Sequence, residues 1–279
     1  MAQDITLSAA SRATLLSLSN TQSLISRTQN RLSTGLKIAS VVDDATAYFQ
    51  SKTLNDRAAD FSEKKDSIDQ AISSVNASLE AVDAVDSLVR QLKGLAITAK
   101  AATGTELTNI VTQYNDLRSQ IDLLTGDASY QGLNLINGTG ETLSVSFSNL
   151  TASLLEIDSV DLTIGTAGLD VSSAVAGTAA ASWANASAIT AAIAELDAAI
   201  TTLRSSGSTL GSNVSLLQTR LNFTKSYVDV LEGGASKLTL ADINEEGANL
   251  VALQTRQQLS ISALAFAGQS EQSVLALFR

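Results

Sequence analysis

The sequence predicts a mainly α protein. It reads as an elongated antiparallel rod of long, coiled-coil-like helices, with a small β-hairpin excursion in the middle and its termini adjacent. Three observations carry this. The 279 residues contain no proline, where average usage of about 5% would place roughly fourteen. Apolar residues recur every three or four positions over most of the chain, the period of a helix laid along a partner. In one short stretch, 143–164, that period gives way to alternation, the pattern of half-buried strands.

The first helix is N-terminal. It presents Leu7, Leu18, Ile25 and Leu32, the last three spaced by seven, and stops near Ser33-Thr34-Gly35. A glycine there suits the left-handed residue that ends a helix. Asp43 or Asp44 is placed to cap a further helix over about 45–65. A second periodic run is Ile68, Ile72, Val75, Leu79, Val82, Val85, Val89, Leu92, Ala96 and Ala99; a third is Leu107, Ile110, Tyr114, Leu117, Ile121 and Leu124. Gly104 breaks the chain between them, which makes the two runs antiparallel neighbours.

The middle differs. Gly126 to Gly132 and Asn137 to Gly140 carry turn chemistry. Leu143, Val145 and Phe147, then Ile157, then Val160, Leu162 and Ile164 alternate with polar neighbours, giving two or three short strands. Residues 165–188 are rich in Gly, Ala and Ser and read as a loop or a small, poorly packed element.

The strongest signal follows. Ile189, Ile193, Leu196, Ile200, Leu203, Gly207, Leu210, Val214, Leu217, Leu221, Thr224, Val228 and Leu231 are separated by alternating steps of four and three. This is a coiled-coil seam, and at about 1.5 Å per residue it spans roughly 65 Å. Gly207, flanked by serines, marks a weak point or a close helix approach. The last helix offers Leu250, Leu253, Ile261, Leu264, Leu275 and Phe278. Its apolar stripe is narrow, as is that of the first helix. Isolated helices of this kind are marginal in water, so both ends need a partner surface.

Composition removes whole classes of function. The chain has no histidine and no cysteine, so Ser-His-Asp triads, thiolate nucleophiles, zinc sites of the His/Cys type and disulfides are impossible. Asp43-Asp44 and Glu245-Glu246 are adjacent carboxylates, but neighbours at i and i+1 on a helix do not converge. No catalytic, cofactor or metal site is expected, and the chain does not read as an enzyme. A net charge of −10 argues against nucleic acid or an anionic bilayer as partner. No uninterrupted run of about 18 apolar residues suggests a membrane span, and the start lacks a cleaved-signal pattern. Charge is unevenly spread: residues 1–40 carry Arg12, Arg27, Arg31 and Lys37 against Asp4, whereas 141–185 carry Glu141, Glu156, Asp158, Asp161 and Asp170 and no base. That acidic middle reads as a solvated outer surface.

Two signatures at opposite ends support a family resemblance. Leu24-Ile-Ser-Arg-Thr-Gln-Asn-Arg-Leu-Ser-Thr-Gly-Leu-Lys-Ile38, followed by Asp43-Asp44-Ala45, resembles the amino-terminal signature of bacterial flagellins. The close resembles their carboxyl end: Leu250-Val-Ala-Leu-Gln-Thr-Arg-Gln-Gln-Leu259, then Ala267-Gly-Gln-Ser-Glu-Gln272 and Leu277-Phe278-Arg279. The resemblance covers nearly the whole chain.

It implies a structural subunit that self-assembles into the hollow helical filament of the flagellum, for motility. The terminal helices, 1–40 and 240–279, would form the coiled coil of the filament's inner core through Leu7, Leu18, Ile25, Leu32, Leu250, Leu253, Ile261, Leu264, Leu275 and Phe278. Residues 41–164 and 186–239 would form the helical rod and hairpin around it, with 165–185 a short variable surface loop in place of the family's large outer domains. The implied partners are other copies of the chain, the flagellar type III export machinery, a flagellin export chaperone, and the filament cap and hook–filament junction proteins. The implied location is outside the cell, after export as an unfolded chain, with no membrane insertion. Some flagellins also carry an Arg- and Glu-bearing stretch that vertebrate Toll-like receptor 5 recognises. The corresponding positions here are Arg90, Gln91, Lys93 and Gly94, with Gln91 and Gly94 standing where the Arg and Glu are expected; Val89, Leu92 and Ala96 read first as seam residues. A hook–filament junction protein and a polysaccharide-binding surface adhesin are the alternative readings.

Overall fold

With no proline to remove a backbone donor, the helices run long. The computed structural model describes residues 9–177 and 182–277. In chain order these hold α1 (Ala9–Thr34), α2 (Ala45–Ala99), α3 (Gly104–Asp127), β1 (Thr142–Ser146), β2 (Leu154–Asp158), α4 (Ala186–Thr239) and α5 (Ile243–Leu277). The fold is mainly α, with helices packed on one another and one two-stranded antiparallel sheet, as the sequence predicts. The chain divides into two units. One gathers the described residues up to Arg57 and from Val230 onward; the other is Ala58–Asp229.

In the Ala58–Asp229 unit a single hydrophobic cluster joins α2, α3, the hairpin, the segment after it and α4. Ile68, Val75, Val82, Val89, Leu92, Leu107, Ile121, Leu196, Ile200, Leu203, Leu210, Val214, Leu217 and Leu221 are buried, and Ile72, Leu79, Leu117, Leu124, Ile193 and Val228 are half-buried. Two helix periods meeting along their apolar rows give this arrangement. Gly207 belongs to it: a Cβ placed there would lie 3.7 Å from Val82 Cγ1. That is ordinary van der Waals contact, so the packing leaves room for a methyl group there, and α4 passes through the glycine unbroken.

Two expectations need correction. The helix expected over 45–65 and the run from 68 are one continuous α2 of 55 residues: it holds no proline, and its one glycine, Gly94, costs only about 1 kcal/mol. Asp44 caps it, its carboxylate accepting from the Ala47 amide at 3.0 Å. Of the two or three strands expected, two form a hairpin: among the described residues β1 pairs with β2, from Thr142 with Asp158 to Ser146 with Leu154. Residues 160–164 instead lie beside 135–137, with the Val160 and Leu162 amides donating to the Leu135 and Ile136 carbonyls at 2.8 and 2.9 Å. The segment expected to be a loose surface loop is well packed in its described part. Leu169, Val171, Ala174 and Trp183 are buried in the core, and Arg118 Nε and Asn115 Nδ2 donate to the Val171 and Ala174 carbonyls at 2.8 Å each. Small residues lowered its apparent hydrophobicity, but four apolar side chains and borrowed hydrogen bonds suffice to seat it.

The sequence held no uninterrupted apolar run long enough to span a membrane, yet α4 has an 18-residue window whose mean hydropathy reaches 1.3, enough to cross a bilayer by length and composition. Its apolar side is spent otherwise: Leu196, Ala199, Leu203 and Leu210 are buried against protein, while Thr201, Thr202, Ser205 and Thr209 face solvent.

Candidate assembly surface

The other unit is built on α1 and α5, which run antiparallel: Arg31 Nη1 donates to Glu246 Oε1 at 2.8 Å near one end, and Gln257 Nε2 to Gln22 Oε1 at 2.7 Å further along. Asp242 starts α5, its carboxylate accepting from the Asn244 and Glu245 amides at 2.9 and 3.2 Å. Gly35 ends α1 at φ +70°, its amide bonded to the Arg31 carbonyl at 2.8 Å. The two connecting segments are then stitched together: Lys37 donates to the Thr239 carbonyl at 2.7 Å and Ala241 to the Gly35 carbonyl at 2.9 Å. Asp43 ties the following turn. The Ser40 hydroxyl, with the Ser40 and Ala39 amides, holds its carboxyl below the usual range. In the same unit α2 and α4 touch, a Cβ at Gly234 falling at an ordinary 3.5 Å from Leu54 Cδ1, and Leu231 is buried.

The α1–α5 seam is only half apolar. On α1 it runs through Ser11, Leu18, Ile25 and Leu32 at one heptad position and Thr14, Thr21 and Thr28 at the other; all are buried or half-buried. On α5 it runs through Glu246, Leu250, Leu253, Gln257, Ser260, Leu264 and Ala267, again buried or half-buried. Of the expected inner-core residues, Ile25 is buried and Leu18, Leu32, Leu250, Leu253 and Leu264 are half-buried. Ile261 is not in the seam. It is one position past Ser260, about 100° around the helix, and is 51% exposed. Leu7, Phe278 and the side chain of Leu275 lie outside the described residues. A search for apolar residues alone passes over Thr21, Thr28, Glu246, Gln257 and Ser260; following the steps of three and four through polar positions finds them.

Large apolar side chains remain uncovered on both helices. Val251, Leu259 and Phe266 on α5 are 63%, 66% and 71% exposed, and Leu16 on α1 is 66% exposed. At 100° per residue Val251, Leu259 and Phe266 fall within about 80° of one another, on the side of α5 away from the seam, and Ile261 points between that face and the seam. A helix with apolar residues both in its seam and on the face behind it has burial to offer to more than one neighbour. Between α1 and α5 lies a groove of about 400 Å³ lined by Leu24, Arg27, Arg31, Glu246, Leu253 and Arg256, among others.

Residues 5–141 match the family model of the bacterial flagellin N-terminal helical region, and residues 193–278 that of the C-terminal helical region. The chain is 30% identical to flagellin FljM of Caulobacter vibrioides over 270 residues, 95% of this chain and 94% of that protein. The chain belongs to the bacterial flagellin family. It is likewise 29% identical to a flagellin of Brucella melitensis over 282 residues, the full length of both. Among solved structures, Bacillus cereus flagellin aligns with a TM-score of 0.47 and 18% identity, covering 56% of this chain and 86% of that one. As a flagellin, the chain is a structural subunit of the flagellar filament and polymerises with itself; the family is structural, not enzymatic.

On this flagellin the receptor-like positions sit on α2. Arg90 is held by both carboxylate oxygens of Asp86, at 2.6 and 3.2 Å, and Lys93 pairs with Asp197 of α4. Gln91 and Gly94 are exposed, and open space lies beyond Gly94. Val89, Leu92 and Ala96 are fully buried.

Proposed function

We propose that α1 and α5 are the assembling end of the subunit. In the filament, neighbouring copies cover the side chains that α5 leaves uncovered, and the terminal pair forms the inner core while the Ala58–Asp229 unit, with its own apolar cluster, forms the surrounding wall. One observation carries this: α5 exposes Val251, Leu259 and Phe266 on the face turned away from its seam with α1, with exposed Ile261 between that face and the seam. Burying a side chain of that size contributes about 1.5–3 kcal/mol, and the seam with α1 leaves that gain untaken.

The test is removal of residues 241–279. The shortened chain should keep the Ala58–Asp229 unit folded by circular dichroism and form no filament under electron microscopy. Filaments from it would overturn the reading.

The same surface supports the finer partners. An export chaperone has a target in the uncovered α5 residues, and a chain whose ends stay weakly paired until they meet other copies suits export unfolded through the flagellar type III channel to the outside of the cell. The cap and junction proteins would then meet the ends of the polymer. For Arg90, Gln91, Lys93 and Gly94 we propose the wall rather than the receptor: their helix turn is anchored by Val89, Leu92 and Ala96, and the two cations are already engaged by aspartates.

A further inference from the structure

The groove between α1 and α5 holds more positive charge than the subunit uses. Arg27 and Arg31 stand four apart on α1, where like charges repel, and Arg256 faces them from α5. One carboxylate, Glu246, lines the same groove; it is 8% exposed and bonded to Arg31. Among the described residues, Arg27 and Arg256 have no carboxylate or hydrogen-bond partner. Composition makes this unusual, because the chain has 28 acids and 18 bases. An uncompensated cationic groove on an acidic protein is complementary to that protein's own surface.

We propose that this groove receives a surface carboxylate of a second copy, with Arg27 and Arg256 as the receiving pair and Arg31 held back by Glu246. The inference rests on the filament reading and names a charged contact within it. Suitable groups exist: Glu232 and Glu245 in the same unit are exposed and in no ion pair among the described residues. Leu24 and Leu253, which also line the groove, give the incoming chain an apolar footing. The paired guanidinium groups offer a carboxylate planar, two-point recognition that a lysine cannot match.

The experiment compares wild type with the double variants Arg27→Gln/Arg256→Gln and Arg27→Lys/Arg256→Lys, grown from filament seeds. All four side-chain changes fall on exposed positions, so the monomers should give wild-type circular dichroism. At low salt the glutamine variant should need a two- to fivefold higher concentration to polymerise, the effect of one or two exposed ion pairs. The difference should vanish in 1 M sodium chloride, where the Debye length shrinks to about 3 Å. The lysine variant serves a second readout. Filaments grown from a mixture of isotope-labelled and unlabelled subunits are treated with a zero-length carbodiimide, which condenses an amine with a touching carboxylate and loses water. A labelled–unlabelled hybrid cross-link at position 27 or 256 is expected, and mass spectrometry names the acid.

Glutamine-variant filaments that form at the wild-type concentration in low salt would overturn this inference while leaving the filament reading intact. A raised concentration without any hybrid cross-link would overturn it too, placing the electrostatic effect inside one subunit. Wild-type protein that forms no filament at any salt concentration would overturn both.

Discussion

Phe266→Ala separates assembly from folding in a single substitution. Phe266 is 71% exposed on α5 and lies off the seam with α1. Full burial of a phenylalanine side chain is worth about 1.5–3 kcal/mol, so the part still available to a neighbouring copy is about 1–2 kcal/mol. Each 1.4 kcal/mol is a factor of ten in concentration. The variant should therefore need roughly five- to thirtyfold more protein to elongate seeded filaments, read by sedimentation or light scattering. The monomer should not notice. Few contacts are lost there, alanine is the better helix former, and a surface change of this kind stays within about 0.5 kcal/mol. Ile25→Ala is the opposite control. Ile25 is 4% exposed in the seam, so its truncation should destabilise the α1–α5 pair by about 2–5 kcal/mol before any assembly. Phe266→Ala filaments at the wild-type concentration would refute the reasoning, because they would mean that this side of α5 stays uncovered in the polymer.

Gly207→Ala should stabilise the Ala58–Asp229 unit by about 1 kcal/mol, the helix-interior difference between the two residues, since the new methyl meets Val82 at an ordinary 3.7 Å; differential scanning calorimetry would show a rise of about 3 °C. Gly168→Ala should do the reverse and cost about 2 kcal/mol or more, because its Cβ would fall 2.2 Å from the Thr163 carbonyl oxygen. Tyr114 is fully buried and its phenol is pushed up to about 12 by burial first and the Glu195 charge second. The unfolded chain loses this proton near pH 10 and the folded chain does not, so stability should fall as pH rises from 10 towards 12, by an amount of order 2 kcal/mol. In Tyr114→Phe that component of the alkaline decline should disappear from urea midpoints measured across the range.

Legibility in the sequence tracked the regularity of the packing. The seam of α4 was readable because thirteen positions kept one period and nearly all were apolar; every one of its large apolar residues is buried or half-buried in the structure. The continuity of α2 was not, because the large apolar residues from Tyr48 to Phe61 (Tyr48, Phe49, Leu54 and Phe61) fall out of the three-and-four step, although nothing in the segment stops a helix. The packed 165–177 segment was hidden for a different reason. Its Leu169, Val171 and Ala174 are separated by Asp and Ser, and its backbone accepts hydrogen bonds from, and donates them to, side chains of α3 and α4, Asn115, Arg118 and Glu195. Such long-range hydrogen bonds leave no local pattern.

The polar half of the α1–α5 seam was missed because it breaks the rule used to find seams, and the breach itself has a physical meaning. Thr21 sits 3% exposed in the seam with its hydroxyl returned to the Ser17 carbonyl at 2.8 Å, so it fills space and contributes a methyl where α4 would place a leucine. Glu246 reaches the seam only in company with Arg31, and such a pair roughly offsets its own desolvation. The register of α1 on α5 is thereby fixed by polar partners, Arg31 with Glu246 and Gln22 with Gln257, while the apolar surface that would make the pair strong is turned outward. Exchange those two allotments, with leucines at 21, 28 and 257 and serines at 251, 259 and 266, and the pair should become more stable alone while losing the surface that recruits the next copy. A subunit that is to join other copies is better served by the arrangement present here, in which the seam sets geometry and the neighbours supply most of the burial.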